Sequence, residues 1–170
     1  DDIIKDLKQI LLVSTSLNER NEEVEFSQLV EDIKISIKNL IEMNVIEIVY
    51  DFSDINTFNT LKSYIYSIFY NLITNSIKYR QVEIPCIIKI ESHLLDQKLQ
   101  LIFTDNGLGI DLKKQGDQVF GLYKRFHPHV EGKGLGLFMV KAQVEKLGGK
   151  ISVKSEVNKG AEFKIEFELG

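Results

Sequence analysis

All 11 glycines of this 170-residue chain lie at or beyond Gly107, and seven of them (Gly107, Gly109, Gly116, Gly121, Gly132, Gly134 and Gly136) fall within thirty residues. Glycine is needed where the backbone turns through positive φ or must come close to another group. The first hundred residues are therefore left to build regular elements, and close approaches to a ligand are expected after residue 106. Charge follows the same division. Residues 1–60 carry 13 acids and 5 bases, whereas residues 61–170 carry 12 acids and 16 bases. An anionic ligand thus belongs with the glycine-rich half.

The length suits one domain, on a scale of ~100–200 residues each, and a chain of this size buries roughly 70% of its unfolded surface. Hydrophobic residues at 44% and charged residues at 27% are those of a globular protein. Cys86 is the sole cysteine, which excludes a disulfide framework and a zinc finger and fits a reducing compartment. No apolar run approaches the ~18 residues of a membrane span, and Asp1-Asp2 does not open a signal peptide. The net charge of −4 argues against nucleic acid as a partner and the apolar pattern against membrane contact.

Hydrophobic spacing gives the elements. Ile3, Ile4, Leu7, Ile10 and Leu11 form a helical stripe over 1–16. Leu29, Ile33, Ile37, Leu40 and Ile41 predict one amphipathic helix over 27–43 with Ser27 as N-cap. Strands are expected at 45–52, 87–90 and 99–104, the last two joined by a turn at Asp96-Gln97, and a helix at 61–79. Residues 106–134 show no period and read as loop. A helix over 135–147 ends at Gly148-Gly149, followed by an antiparallel pair at 150–157 and 162–169. The order predicts an α+β sandwich with helices on one face of a mixed sheet.

Three features could carry chemistry. On the helix 61–79, Asn71, Asn75 and Lys78 fall within an arc of roughly 60°. Such a stripe also suits a solvated face, but asparagine is a poor helix former, and its amide oxygen is a hard neutral ligand for Mg²⁺. Asp105-Asn106-Gly107-Leu108-Gly109-Ile110 follows a strand, so a carboxylate could accept from an exocyclic amine while the glycines let a flat ring lie against the backbone; a plain tight turn has the same composition. Gly132-Lys133-Gly134-Leu135-Gly136-Leu137 runs into a helix, where free N–H groups and the helix dipole favour phosphate, although a flexible linker reads alike. Lys113, Lys114, Lys124, Arg125 and Lys133 exceed the acids of the intervening loop by two.

Taken in order, these motifs closely resemble the ATP-binding catalytic domain of two-component sensor histidine kinases, within the wider family of gyrase, the heat-shock chaperone and mismatch-repair ATPases. The resemblance covers about 26–170. Asn71 to Arg80 resembles the N box, Asp105 to Ile110 the first glycine box, Phe120 to Phe126 the F box and Gly132 to Leu137 the second glycine box. It implies the two-layer Bergerat sandwich, with residues 1–20 the end of a dimerisation-domain helix and 21–170 the catalytic domain. It also implies ATP and Mg²⁺, with Asn75 on the metal, Asn71 and Lys78 near the phosphates, and Tyr79 packed on adenine. Asp105 would accept the adenine amine, with Gly107, Gly109 and Ile110 lining the base pocket. Lys124, Arg125, Gly132 and the backbone of Gly134, Leu135, Gly136 and Leu137 would hold phosphate beneath a lid at 111–133. Asn71, Lys78 and Arg125 are the expected catalytic residues.

Two positions depart from the pattern. Ala161 follows Gly160 where threonine is usual, so a hydroxyl near the adenine amine is missing and water is expected in its place. Gly121 stands where an acid is common. The phosphoacceptor is also missing, since His93, His127 and His129 lack its helix and acidic neighbour. The acceptor histidine is thus expected on a dimerisation domain outside this chain, in a homodimeric cytoplasmic kinase, membrane-anchored or not, that passes phosphate to a response regulator. The alternatives are a stand-alone Bergerat ATPase or an anti-sigma serine kinase. Those relatives resemble one another in carrying glutamate at the place of Asn71, and an amide cannot accept a proton at neutral pH.

Overall fold

The computed structural model describes residues 20–121 and 136–170. Five strands form one mixed sheet in the order β2 (Ile46–Asp51), β4 (Cys86–Leu95), β5 (Lys98–Asp105), β7 (Gly160–Glu168) and β6 (Lys150–Glu156). β2 and β4 run parallel and the other pairs antiparallel. A two-stranded ribbon, β1 (Glu22–Glu25) with β3 (Thr57–Thr60), stands apart. The helices are α1 (Phe26–Ser36), α2 (Lys38–Met43), α3 (Lys62–Lys78), α4 (Leu112–Gln115) and α5 (Gly136–Lys146).

Alternation along the strands decides which face the helices cover. Ile88 and Ile90 of β4, Leu99, Leu101 and Phe103 of β5, and Phe163, Ile165 and Phe167 of β7 are buried. Against them lie Phe26, Leu29, Val30 and Ile33 of α1, Ile65, Ile68, Phe69, Leu72 and Ile73 of α3, and Val140 and Val144 of α5. Phe69 sits at the centre, stacked on Phe26 at 5.8 Å and edge-on to Phe103 at 4.9 Å. The opposite sheet face carries ion pairs such as Lys89–Glu91 and Lys164–Glu166, which add little in water. The expected layering is the observed one.

Several boundaries differ. The helix expected over 27–43 is two helices, broken at Ile37. The Ser36 hydroxyl donates to the Ile33 carbonyl at 2.8 Å, a back-bond that loosens a helix. Ser27 is not the N-cap. Helix α1 begins at Phe26, and the distant Asn56 satisfies its first donors: its carbonyl accepts from Phe26 N at 2.8 Å and its side chain from Ser27 N at 3.0 Å. The ribbon strands escape notice in the sequence because each is four residues long and mostly exposed. β4 extends to Leu95, well past Ile90, since Ser92 is buried and bonds the Ile55 carbonyl. The turn at Asp96-Gln97 is as expected, both residues having positive φ, the conformation of a two-residue hairpin loop. Residues 112–118 are helical rather than loop, nucleated by Asp111 accepting from Lys113 N.

Candidate nucleotide-binding site

The strand alternation that buries Leu101 and Phe103 also turns Asp105 toward the helices, at the end of β5. Ser76, itself buried on α3, donates its hydroxyl to Asp105 Oδ2 at 2.7 Å. Asp105 Oδ1 accepts the backbone N–H of Gly107 at 2.9 Å and of Ala161 at 3.2 Å. The carboxylate is thereby fixed by three segments: α3, its own turn and the start of β7. Ser76 was not singled out in the sequence, where it reads as part of the apolar stripe Ile65, Phe69, Leu72, Ile73. A hydroxyl interrupting that stripe is the signal that could have found it.

Around Asp105 the loops are tied together. Gln81 Nε2 lies 3.0 Å from each of three carbonyl oxygens, those of Asn106, Gly107 and Asn158. Leu108 N donates to the Tyr79 carbonyl at 2.8 Å, and Asn158 N to the Leu108 carbonyl at 2.7 Å. The Asn106 side chain accepts from Ile87 N and donates to the Pro85 carbonyl, both at 2.9 Å. Close backbone approach explains the glycines here, but toward the chain itself. A Cβ on Gly107 would come within 2.7 Å of the Tyr79 carbonyl, and one on Gly109, at φ +71, would run into the Glu156 carbonyl.

The polar stripe of α3 lies on the site's flank. Asn75 precedes Ser76, and both Asn71 and Asn75 are half-buried while Lys78 is exposed. Asn71 Nδ2 donates to Ser67 Oγ at 3.2 Å. Lys78 Nζ stands 6.0 Å from the centroid of the Tyr79 ring, so those two expected contacts share one surface. Gly136 opens α5, and a Cβ there would meet no described atom within 4 Å. The side chain of Ile110, expected in the base pocket, is buried in the main core, as is that of Leu137, whose backbone is expected at the phosphates, and Ile110 N donates to Ser155 Oγ at 2.8 Å. At Ala161 the backbone N–H serves Asp105 where no side-chain hydroxyl exists. His93 lies within β4, beside Glu91 at 3.1 Å. Residues 1–19, and Lys124, Arg125, His127, His129, Gly132, Gly134 and Leu135, lie outside the described residues.

Cys86 opens β4 beneath the carboxylate, 1% exposed, with Sγ 3.9 Å from the Ser76 carbonyl. Burial pushes its thiol up to about 11, the charge of Asp105 adding to the effect and Arg80 opposing it. The unfolded thiol ionises near 9.0, so the folded state holds a proton that the unfolded state has lost between those values. Stability should be unaffected below pH 9 and fall above it. The margin of the native chain over Cys86→Ala in urea denaturation should shrink by about 1 kcal/mol per pH unit from pH 9 to 11. An unchanged margin would place the thiol in contact with water.

Residues 61–170 match the family described as histidine kinase-, DNA gyrase B- and HSP90-like ATPases, and the chain belongs to that family. It is therefore an ATP-binding domain of α+β Bergerat type. Among proteins it is similar to, Cyanobacterial phytochrome A of Nostoc sp. is 36% identical over 105 residues, covering 61% of this chain and 14% of that protein. Sensor protein RprX of Bacteroides fragilis is 32% identical over 109 residues, covering 62% and 21%. Among solved structures, the histidine kinase AdeS of Acinetobacter baumannii has a TM-score of 0.78 at 22% identity, over 98% of this chain and 77% of that one. Full-length ShkA has a TM-score of 0.80 at 20% identity, over 97% and 35%. The matched stretch of this chain spans about a fifth or less of those two curated relatives. No described helix is long and apolar enough to cross a membrane.

Proposed function

We propose that this chain is the catalytic part of a sensor histidine kinase, binding Mg²⁺-ATP and presenting its γ-phosphate to a histidine on a dimerisation domain carried elsewhere. In this reading residues 1–20 belong to the dimerisation helix, the assembled kinase is a cytoplasmic homodimer, and a response regulator takes the phosphate onward. Asp105 Oδ2 accepts the adenine amine, Tyr79 covers the ring, and Lys78, Arg125, Lys124 and the amides from Gly132 to Leu137 surround the phosphates. That a Cβ on Gly136 would meet no described atom within 4 Å supports an approach of phosphate to the start of α5, since the first turn of a helix favours anions.

Mg²⁺ fits the donors present. The Asn75 carboxamide makes no hydrogen bond to a described residue, and its oxygen is a hard ligand. No cluster of three or more His, Cys, Asp or Glu side chains among the described residues could hold a cation alone. An ion here would depend on waters and substrate phosphates, the usual habit of Mg²⁺; when bound it would neutralise phosphate charge.

The observation that carries kinase over ATPase is Asn71. One turn before Asn75, it offers an amide already donating to Ser67, and an amide cannot take a proton from water. Phosphoryl transfer then depends on positioning rather than on an activated water. Radiolabelled ATP should transfer phosphate to a histidine of an added dimerisation domain, while hydrolysis without it should stay below about 0.01 per second, the intrinsic rate of a GTPase that carries its own arginine finger. Turnover of a dedicated ATPase, abolished by Asn71→Ala, would overturn the assignment.

A further inference from the structure

Gln81 is half-buried and stands two positions beyond Tyr79. Its Nε2 lies 3.0 Å from the main-chain oxygens of Asn106, Gly107 and Asn158. Acceptors converging on one point require a donor there, so the NH₂ end of the amide, and not its oxygen, faces them. A carboxylate in that place would be repelled by all three oxygens, and an apolar group would give them nothing.

The three oxygens belong to the turn after Asp105 and to the β6–β7 hairpin. The same two segments supply main-chain N–H groups to Asp105 Oδ1, from Gly107 at 2.9 Å and from Ala161 at 3.2 Å. Tyr79, just past α3, is tied in as well: its carbonyl accepts from Leu108 N, and the Leu108 carbonyl accepts from Asn158 N. Gln81 thus sits where three segments of the base pocket join. We propose, resting on the nucleotide-binding reading, that Gln81 is a positioning residue whose amide clamps the Asp105 turn to the β6–β7 hairpin in the register that receives the base. Segments held in register need little ordering when a ligand binds, so the clamp adds affinity without touching the nucleotide.

Two substitutions separate a donor from a filler of space. Gln81→Glu keeps the shape and replaces the donor by oxygen, whereas Gln81→Met keeps a similar length with no donor. A side chain needed only for packing would make glutamate the milder change. The clamp makes it the more severe one. In titrations of the folded chain with Mg²⁺-ATP, Gln81→Met should weaken binding about 5- to 10-fold, the size of a lost hydrogen-bonding group, and Gln81→Glu about 10- to 100-fold. Hydrogen exchange with neither nucleotide nor divalent cation gives a second readout. In Gln81→Met the amides of Leu108 and Asn158 should exchange about fivefold faster or more, while those of β5 and β7 keep the native rate, as for a local opening. Glutamate binding Mg²⁺-ATP as tightly as methionine or more so, or exchange accelerated alike in loops and strands, overturns the proposal. If Gln81→Glu does not fold, the exchange comparison in Gln81→Met decides alone. A native chain that fails to bind Mg²⁺-ATP overturns instead the reading on which the proposal rests, and exchange then decides whether the clamp exists.

Discussion

Gly109→Ala is expected to destabilise the chain by about 3 kcal/mol or more, the range of substitutions that force backbone strain and a core clash together. Gly109 holds φ +71, and the added Cβ would run into the Glu156 carbonyl with the Gly160 carbonyl 3.2 Å away. The left-handed conformation alone costs an L-residue roughly 1–2 kcal/mol. Nor can the neighbours withdraw. Leu108 is bonded to Asn158 and Tyr79, and Ser155 joins Ile110 N to the Gly160 carbonyl. Thermal denaturation should show the loss even without nucleotide. Gly136→Ala is the control: with no described atom within 4 Å of the added methyl, stability should stay within about 1 kcal/mol of native, as for glycine exchanged in a helix. Equal effects at the two positions would mean that the contact between the Asp105 turn and the β6–β7 hairpin is not formed.

The contrast between these glycines marks what sequence patterning reveals and what it leaves out. Periodicity located every element that carries a run of apolar residues, because burying such a run on one side forces the matching helix or strand. It missed β1 and β3, whose four-residue runs bury only Val24 and Thr60 among the hydrophobic and polar core positions. It also missed the break at Ile37, which depends on one hydroxyl of Ser36. The motifs located Asp105, Asn71 and Asn75 on the right elements. At Gly107 and Gly109 the close approach is to the protein's own backbone, the Tyr79 and Glu156 carbonyls, so glycine by itself does not mark a ligand. The partners of Asp105 were invisible for a simpler reason. Ser76 and Ala161 lie 29 and 56 positions away along the chain, and Ala161 contributes only a main-chain group that every residue but proline possesses. Gln81 is a similar case, a polar residue in a loop whose three acceptors come together only in the fold.

Asn75→Ala should abolish the magnesium dependence of nucleotide binding and lower phosphotransfer to a dimerisation domain by about 100-fold or more, exceeding the 10–100-fold typical of residues that merely orient metal ligands. The side chain is half-buried on α3, one position before the serine that fixes Asp105. Folding should be little affected. The carboxamide bonds no described residue, and alanine is the better helix former by a few tenths of a kcal/mol. Binding of ATP measured with Mg²⁺ and with EDTA separates the possibilities: the native chain should lose affinity on chelation, and the Asn75→Ala chain should show the same weak binding in both. Asn71→Ala, by contrast, removes a group already engaged with Ser67 and should retain the difference between Mg²⁺ and EDTA. If Asn75→Ala keeps full magnesium dependence while Asn71→Ala loses it, the metal ligand lies one turn earlier on α3, and the assignment of the two asparagines must be exchanged.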